Sequence, residues 1–145
     1  MKKSGILNRH LAGALALLGH TDRIVVCDAG LPLPHGPSPQ APPWGGPILV
    51  DLAFRAGVPS FAEVLSGLLD ELEIEGATAA SEVEDGNPDV SALLHEKFDD
   101  LELVPHDEFK ARIRQARLVV RTGEFSPYAN VMLRCGVPFK GASAE

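Results

Sequence analysis

The chain has 145 residues, 45% of them hydrophobic and 23% charged, with a formal net charge of −7. This is the length and ordinary globular composition of one domain with one core. The acidic balance argues against non-specific attraction to nucleic acid or anionic membranes, and no apolar run approaches the ~20 residues of a membrane span.

Met1-Lys2-Lys3 carries positive charge at the start, but Asn8, Arg9 and His10 break the apolar stretch that a signal peptide needs. Asn8 is a good N-cap, and Leu11, Ala14, Leu15 and Leu18 recur at helical spacing, so a helix is expected over residues 8–18. Gly19 then suits a left-handed C′ position. Residues 24–27 form a continuous β-branched run and read as a buried strand. Residues 32–47 follow as an exposed loop, because the stretch from Leu31 to Pro47 holds seven of the twelve prolines and each removes a backbone donor. A second strand is expected over 48–52. Ser60 and Glu63 form a capping-box pattern behind Pro59, opening a helix that runs to about residue 72.

Residues 74–80 read as a strand weakened by alanines, and Asn87-Pro88 as a cap followed by proline at the first position of a helix over 88–98. A short strand over 101–104 ends at Pro105-His106. A helix over 107–115, a strand over 118–121 and a last strand over 130–134 complete the series, closed by Gly136 and Pro138. Alternation of strands and helices predicts the α/β class: a single three-layer domain with a mostly parallel central sheet flanked by helices. The domain is expected to span residues 1–139, and residues 140–145 to form a frayed polar tail. Cys27 and Cys135 lie in apolar contexts with no Cys-x-x-Cys pair, so they read as reduced core thiols of a cytoplasmic protein, with a disulfide between them left open.

Five histidines carry the main candidates for chemistry. His10 and His95 lie in expected helices among surface residues, and His35 lies in the proline-rich loop. His20 and His106 instead stand at junctions between elements and loops, where ligands gather in α/β folds. An imidazole donates and accepts protons near neutral pH, so His20 is the leading acid/base candidate. The bland alternative is a histidine that interacts with helix-terminal carbonyls. Asp28, at a strand end, can accept hydrogen bonds from paired hydroxyls or orient His20; equally, it can bond its own turn. Tyr128 offers a flat apolar face and a phenol, and Asn130 two donors and an acceptor without charge. A strand-initiating turn with a packed tyrosine is the alternative there. No metal-ligand spacing, phosphate-binding glycine loop or nucleophile elbow is present, so no cofactor and no metal are expected.

Two motifs in order, His20-Thr21-Asp22 with Asp28-Ala29-Gly30-Leu31-Pro32, then Arg121-Thr122-Gly123-Glu124 with Pro127-Tyr128-Ala129-Asn130, resemble the signatures of the ribose pyranase/fucose mutarotase family. The resemblance covers residues 1–139 and is weakest at the proline-rich loop, which looks longer than the family's. It implies a cofactor-independent isomerase that interconverts pyranose and furanose forms of D-ribose by acid/base catalysis through ring opening. It implies His20 as proton donor and Asp28, His106, Tyr128, Ala129 and Asn130 as substrate contacts, with Lys110 a further candidate. It also implies a homodecamer of pentameric rings, with sites near subunit contacts and a monosaccharide as partner. A non-catalytic sugar-binding or regulatory subunit, and a mutarotase for another sugar such as fucose, are the alternatives.

Overall fold

The computed structural model describes residues 1–33 and 46–140. The expectations for residues 34–45 of the proline-rich stretch, His35 among them, and for residues 141–145 of the tail lie outside the described residues. The elements in chain order are α1 (Arg9–Ala16), β1 (Arg23–Cys27), β2 (Ile48–Asp51), α2 (Phe61–Leu69), β3 (Ile74–Ala80), α3 (Val83–Gly86), α4 (Pro88–Lys97), β4 (Leu101–Val104), α5 (His106–Arg112), β5 (Leu118–Arg121) and β6 (Val131–Cys135). A single 3-10 turn, Ile113–Gln115, extends α5.

Three helices begin where a short polar side chain satisfies a free N–H. Asn8 accepts from Leu11 N at 2.9 Å, Ser60 from Glu63 N at 3.1 Å and Asn87 from Val90 N at 3.3 Å. The end of α1 differs from expectation. Leu17 caps it in right-handed geometry, and the left-handed residue is Thr21, with φ of 71°, rather than Gly19. Gly19 instead gives its N–H to the Asp22 carboxylate at 2.8 Å, so the turn is tied by a side chain and not by a glycine cap.

The six strands form one sheet in the order β2-β5-β1-β6-β3-β4. β2, β5 and β1 pair in parallel, as do β3 and β4, while β6 runs antiparallel between β1 and β3. The reversal follows from the connection. Residues 122–130 contain no helix to carry the chain back across the sheet, so the next strand must run the other way. β1 lies near the middle and is buried on both faces. Ile24 and Val26 point to the layer of α1, α2 and α4 with Leu11, Phe61, Leu65 and Leu94. Val25 and Cys27 point to the layer of α5 with Phe109 and Ile113. Each fully buried aliphatic side chain contributes about 1.5–3 kcal/mol relative to exposure, which fixes both the register and the distinctness of the two strand ends.

Candidate active site

Five of the six strands point the same way, so their carboxyl ends share one edge. That edge gathers Asp28 after β1, His106 after β4 and Asn130 before β6. Thr122 after β5 welds it together. Its hydroxyl donates to Cys27 O at 2.8 Å and its N–H to the same carbonyl at 3.0 Å. Ala29 N donates to Glu124 O at 2.9 Å, and the Arg121 guanidinium donates to Ala29 O while also holding Asp51. The turn carrying Asp28 is thereby fixed from two sides.

Asp28 and Asn130 are buried and interlocked. Asp28 N donates to Asn130 Oδ1 at 2.9 Å, which sets the orientation of the amide and leaves Nδ2 as its donor end. Asn130 Nδ2 and His106 Nδ1 are both buried, and neither has a hydrogen-bond partner among the described residues. Buried polar atoms are almost always paired, so two such orphans on the same sheet edge point to a ligand that supplies the partners. Asp28 Oδ1 accepts from Gly30 N at 2.9 Å, so the turn-aspartate reading is realised as well. Burial pushes the Asp28 carboxyl above its ordinary range, against the lowering influence of the N–H groups of Gly30 and Leu31, the nearby Asn130 amide and the N–H of Ala129.

Tyr128 and His106 meet edge to face, with ring centroids 5.2 Å apart and planes at 85°. Tyr128 has a left-handed backbone, φ 57°, and its ring lies over Gly86, where a Cβ would stand 2.7 Å from the ring. Asn87 holds the turn before it, donating from Nδ2 to Ser126 Oγ at 2.9 Å and to Pro127 O at 2.8 Å. Glu82 accepts the backbone N–H of His106 on both oxygens, at 3.0 and 3.1 Å. Sequence reasoning identified Asn87 only as a cap and did not single out Gly86 or Glu82; the cap motif was the one signal available. Lys110 lies one turn beyond His106 and sits 3.4 Å from Asp107.

His20 is elsewhere. It precedes β1 at the amino edge, and β1 alone spans about 13 Å at the usual rise per residue. Within one chain, then, Asp28 does not orient His20, and that one of the alternatives open from sequence falls away. His20 is half exposed and lies 3.2 Å from Glu75 on β3. The turn around it is held by Thr21 N to Cys135 O and Cys135 N to Asp22 O, each 2.8 Å. A cleft beside it is lined by Leu15, Leu18, Leu69, Leu72 and Phe139. This cleft does not reach Asp28, His106, Tyr128 or Asn130.

The chain matches the RbsD / FucU transport protein family over residues 1–138. It belongs to that family. Relatives named D-ribose pyranase share this RbsD/FucU sequence along its length. One from Streptomyces griseus is 67% identical over 96% of this chain and its own full length. One from Geobacillus kaustophilus is 47% identical over 96% of both chains. Among solved RbsD/FucU structures, Bacillus subtilis RbsD complexed with D-ribose is 42% identical, with a TM-score of 0.85 over 96% of this chain and all of its own. The fucose mutarotase of Streptococcus pneumoniae, in complex with L-fucose, shares the fold at 21% identity and a TM-score of 0.67, over 92% of this chain and 95% of its own. The α/β class and mostly parallel sheet expected from the sequence are those of the family. Among the described residues no helix is long and apolar enough to cross a membrane.

Proposed function

We propose that this chain interconverts the pyranose and furanose forms of D-ribose without a cofactor. The observation that carries the reading is the carboxyl-edge cluster. Asp28 accepts, Asn130 Nδ2 and His106 Nδ1 are buried without partners among the described residues, and Tyr128 presents a flat face. A neutral, hydroxyl-rich ring with an apolar face matches that set. Relatives 60–67% identical and named D-ribose pyranase, with a ribose-bound structure 42% identical, support D-ribose as the sugar.

The reaction opens and recloses a ring. The anomeric hydroxyl loses its proton as the bond from C1 to the ring oxygen breaks, and that oxygen gains a proton, giving the open-chain aldehyde. In closing, a different hydroxyl attacks C1 and gives up its own proton while the carbonyl oxygen is reprotonated, and the former ring oxygen stays a hydroxyl. No atom is gained or lost overall. His20 moves these protons; Asp28, His106, Tyr128 and the Ala129-Asn130 backbone and side chain hold the sugar. Lys110, paired with Asp107, is a further candidate contact.

Because His20 and the cluster stand at opposite ends of β1, a complete site needs His20 from a second copy. Exposed apolar side chains lie near both half-sites: Phe54, Val58 and Phe125 toward the Asp28 edge, Leu17 and Phe139 toward His20. One patch docking on the other is a head-to-tail contact, the kind that makes a ring when the rotation between copies is a whole fraction of a turn. A homodecamer of pentameric rings is the assembly we assign, and the two buried free thiols support a cytoplasmic location.

Exchange between the ring forms of D-ribose, followed by saturation-transfer NMR, tests the reading. The wild type should accelerate exchange, and His20→Ala should slow it by roughly 10²–10⁴-fold without loss of fold. A folded His20→Ala protein with wild-type exchange would overturn the acid/base assignment. Ribose binding with no acceleration by the wild type would make the chain a sugar-binding module instead, and L-fucose in the same assay separates the two sugars.

A further inference from the structure

The acid/base histidine does not stand alone. Glu75 on β3 lies beneath it, with Oε2 at 3.2 Å from His20 Nε2 and Oε1 accepting from Arg134 Nε at 2.8 Å. The three residues come from three places, the turn before β1, β3 and β6, and are brought together by the antiparallel pairing of β6 with both neighbours. Arg134 stands opposite Arg23 on one side and Gly76 on the other, so its guanidinium reaches across to Glu75. The Arg134 guanidinium, and after it the His20 ring, hold the Glu75 carboxyl below its ordinary range. An ionised carboxylate only accepts hydrogen bonds. The ring nitrogen facing it therefore carries the hydrogen, and in the neutral ring the other nitrogen, Nδ1, keeps the open lone pair.

We propose that Glu75, clamped by Arg134, is a positioning residue that holds the proton on His20 Nε2 and commits Nδ1 to proton transfer with the sugar. The inference rests on the reading of His20 as the acid/base group and adds the nitrogen that acts and the side chains that choose it. Glu75 touches no reacting atom; it works through the imidazole. A carboxylate on one imidazole nitrogen selects the tautomer and steadies the ring while the other nitrogen reacts. Arg134 supplies the same service one step back, by keeping Glu75 charged and turned toward His20.

The test uses the full chain, labelled with ¹⁵N, and D-ribose as the probe. Long-range ¹⁵N–¹H spectra at a pH where the ring is neutral should show His20 with hydrogen on Nε2 and none on Nδ1, its signals assigned by their loss in His20→Ala. Glu75→Ala should lower kcat for ring exchange by about fivefold, the scale of an exposed charge pair, with KM within about twofold. Glu75→Gln, which keeps an acceptor at the same place, should recover most of that loss. In a His20→Ala background, Glu75→Ala should cause no further loss, since a residue acting through His20 has nothing left to act on. Hydrogen on Nδ1 in the wild type, unaltered exchange in Glu75→Ala, a change in KM alone, or losses that multiply in the double variant would each overturn the assignment. His20→Ala exchanging at the wild-type rate would instead overturn the reading of His20 itself, whatever Glu75 does.

Discussion

Asp28 combines two demands that pull against each other. Its carboxylate is wanted as an acceptor, yet burial makes the charged form costly and raises its pKa above the ordinary 3.8. The folded chain thus holds this proton to a higher pH than the unfolded chain does. Stability from this group is fullest below 3.8 and is lost as pH rises through the raised folded value. Asp28→Asn removes that loss. Thermal melts of the two proteins from pH 3 to 7 should show the wild type falling relative to the variant across that window, and the variant at least as stable as wild type at pH 7. Ribose affinity should move the other way, weakening by about 1–3 kcal/mol because a bound hydroxyl loses its charged acceptor. A variant that is both less stable at pH 7 and unimpaired in binding would contradict the role of burial and the role in the site together.

Elements place these residues, and the contact of α3 with the Tyr128 turn is a tight joint. A Cβ on Gly86 would stand 2.7 Å from the Tyr128 ring, closer than real side chains approach, so the ring must move. Gly86→Ala should therefore weaken ribose binding about tenfold while leaving the melting temperature within a few degrees, since the displaced group is one ring at an edge. Titration of ribose against the variant, with melts alongside, checks both halves. This joint was hidden in the sequence. α3 is a four-residue helix, too short to show a helical repeat, and Gly86 looks like any turn glycine. The capped helices were legible because Asn8, Ser60 and Asn87 announce themselves by type and spacing, and the buried β1 by its β-branched run. The direction of β6 was not legible, because an apolar run carries no arrow. The partner of His20 was not legible either. Glu75 lies far away in sequence, whereas Asp28, nearer along the chain, is separated from His20 by the length of β1. Thr21 in place of Gly19 as the left-handed residue shows the same limit: the Asp22 carboxylate, not local propensity, ties that turn.

At the scale of the whole molecule, the proposed site falls into two halves, His20 and the Asp28 cluster, at opposite ends of β1. If neighbours complete each other, two impaired variants should rescue one another. Chains of His20→Ala and Asn130→Ala, each slow alone at ribose well below saturation, should recover about a quarter of wild-type exchange when unfolded together in equal amounts and reassembled, because a quarter of contacts then pair two intact halves. Activity of the mixture no greater than that of its parts would show that each chain works by itself. The core beneath these half-sites has a separate use. Cys27 ends β1 under Asp28, its Sγ 3.6 Å from Val120 O, and burial, with the neighbouring Asp28 charge, pushes its thiol up to about 12. At neutral pH the reactive thiolate is therefore scarce while the sheet stays closed. Alkylation of Cys27 then reports how often the sheet opens, and any sugar that binds the closed form must slow it in proportion to its occupancy. In a Cys135→Ser background, the labelling rate of this one sulfur becomes a balance on which sugars can be weighed by affinity alone, including those the protein holds but never converts.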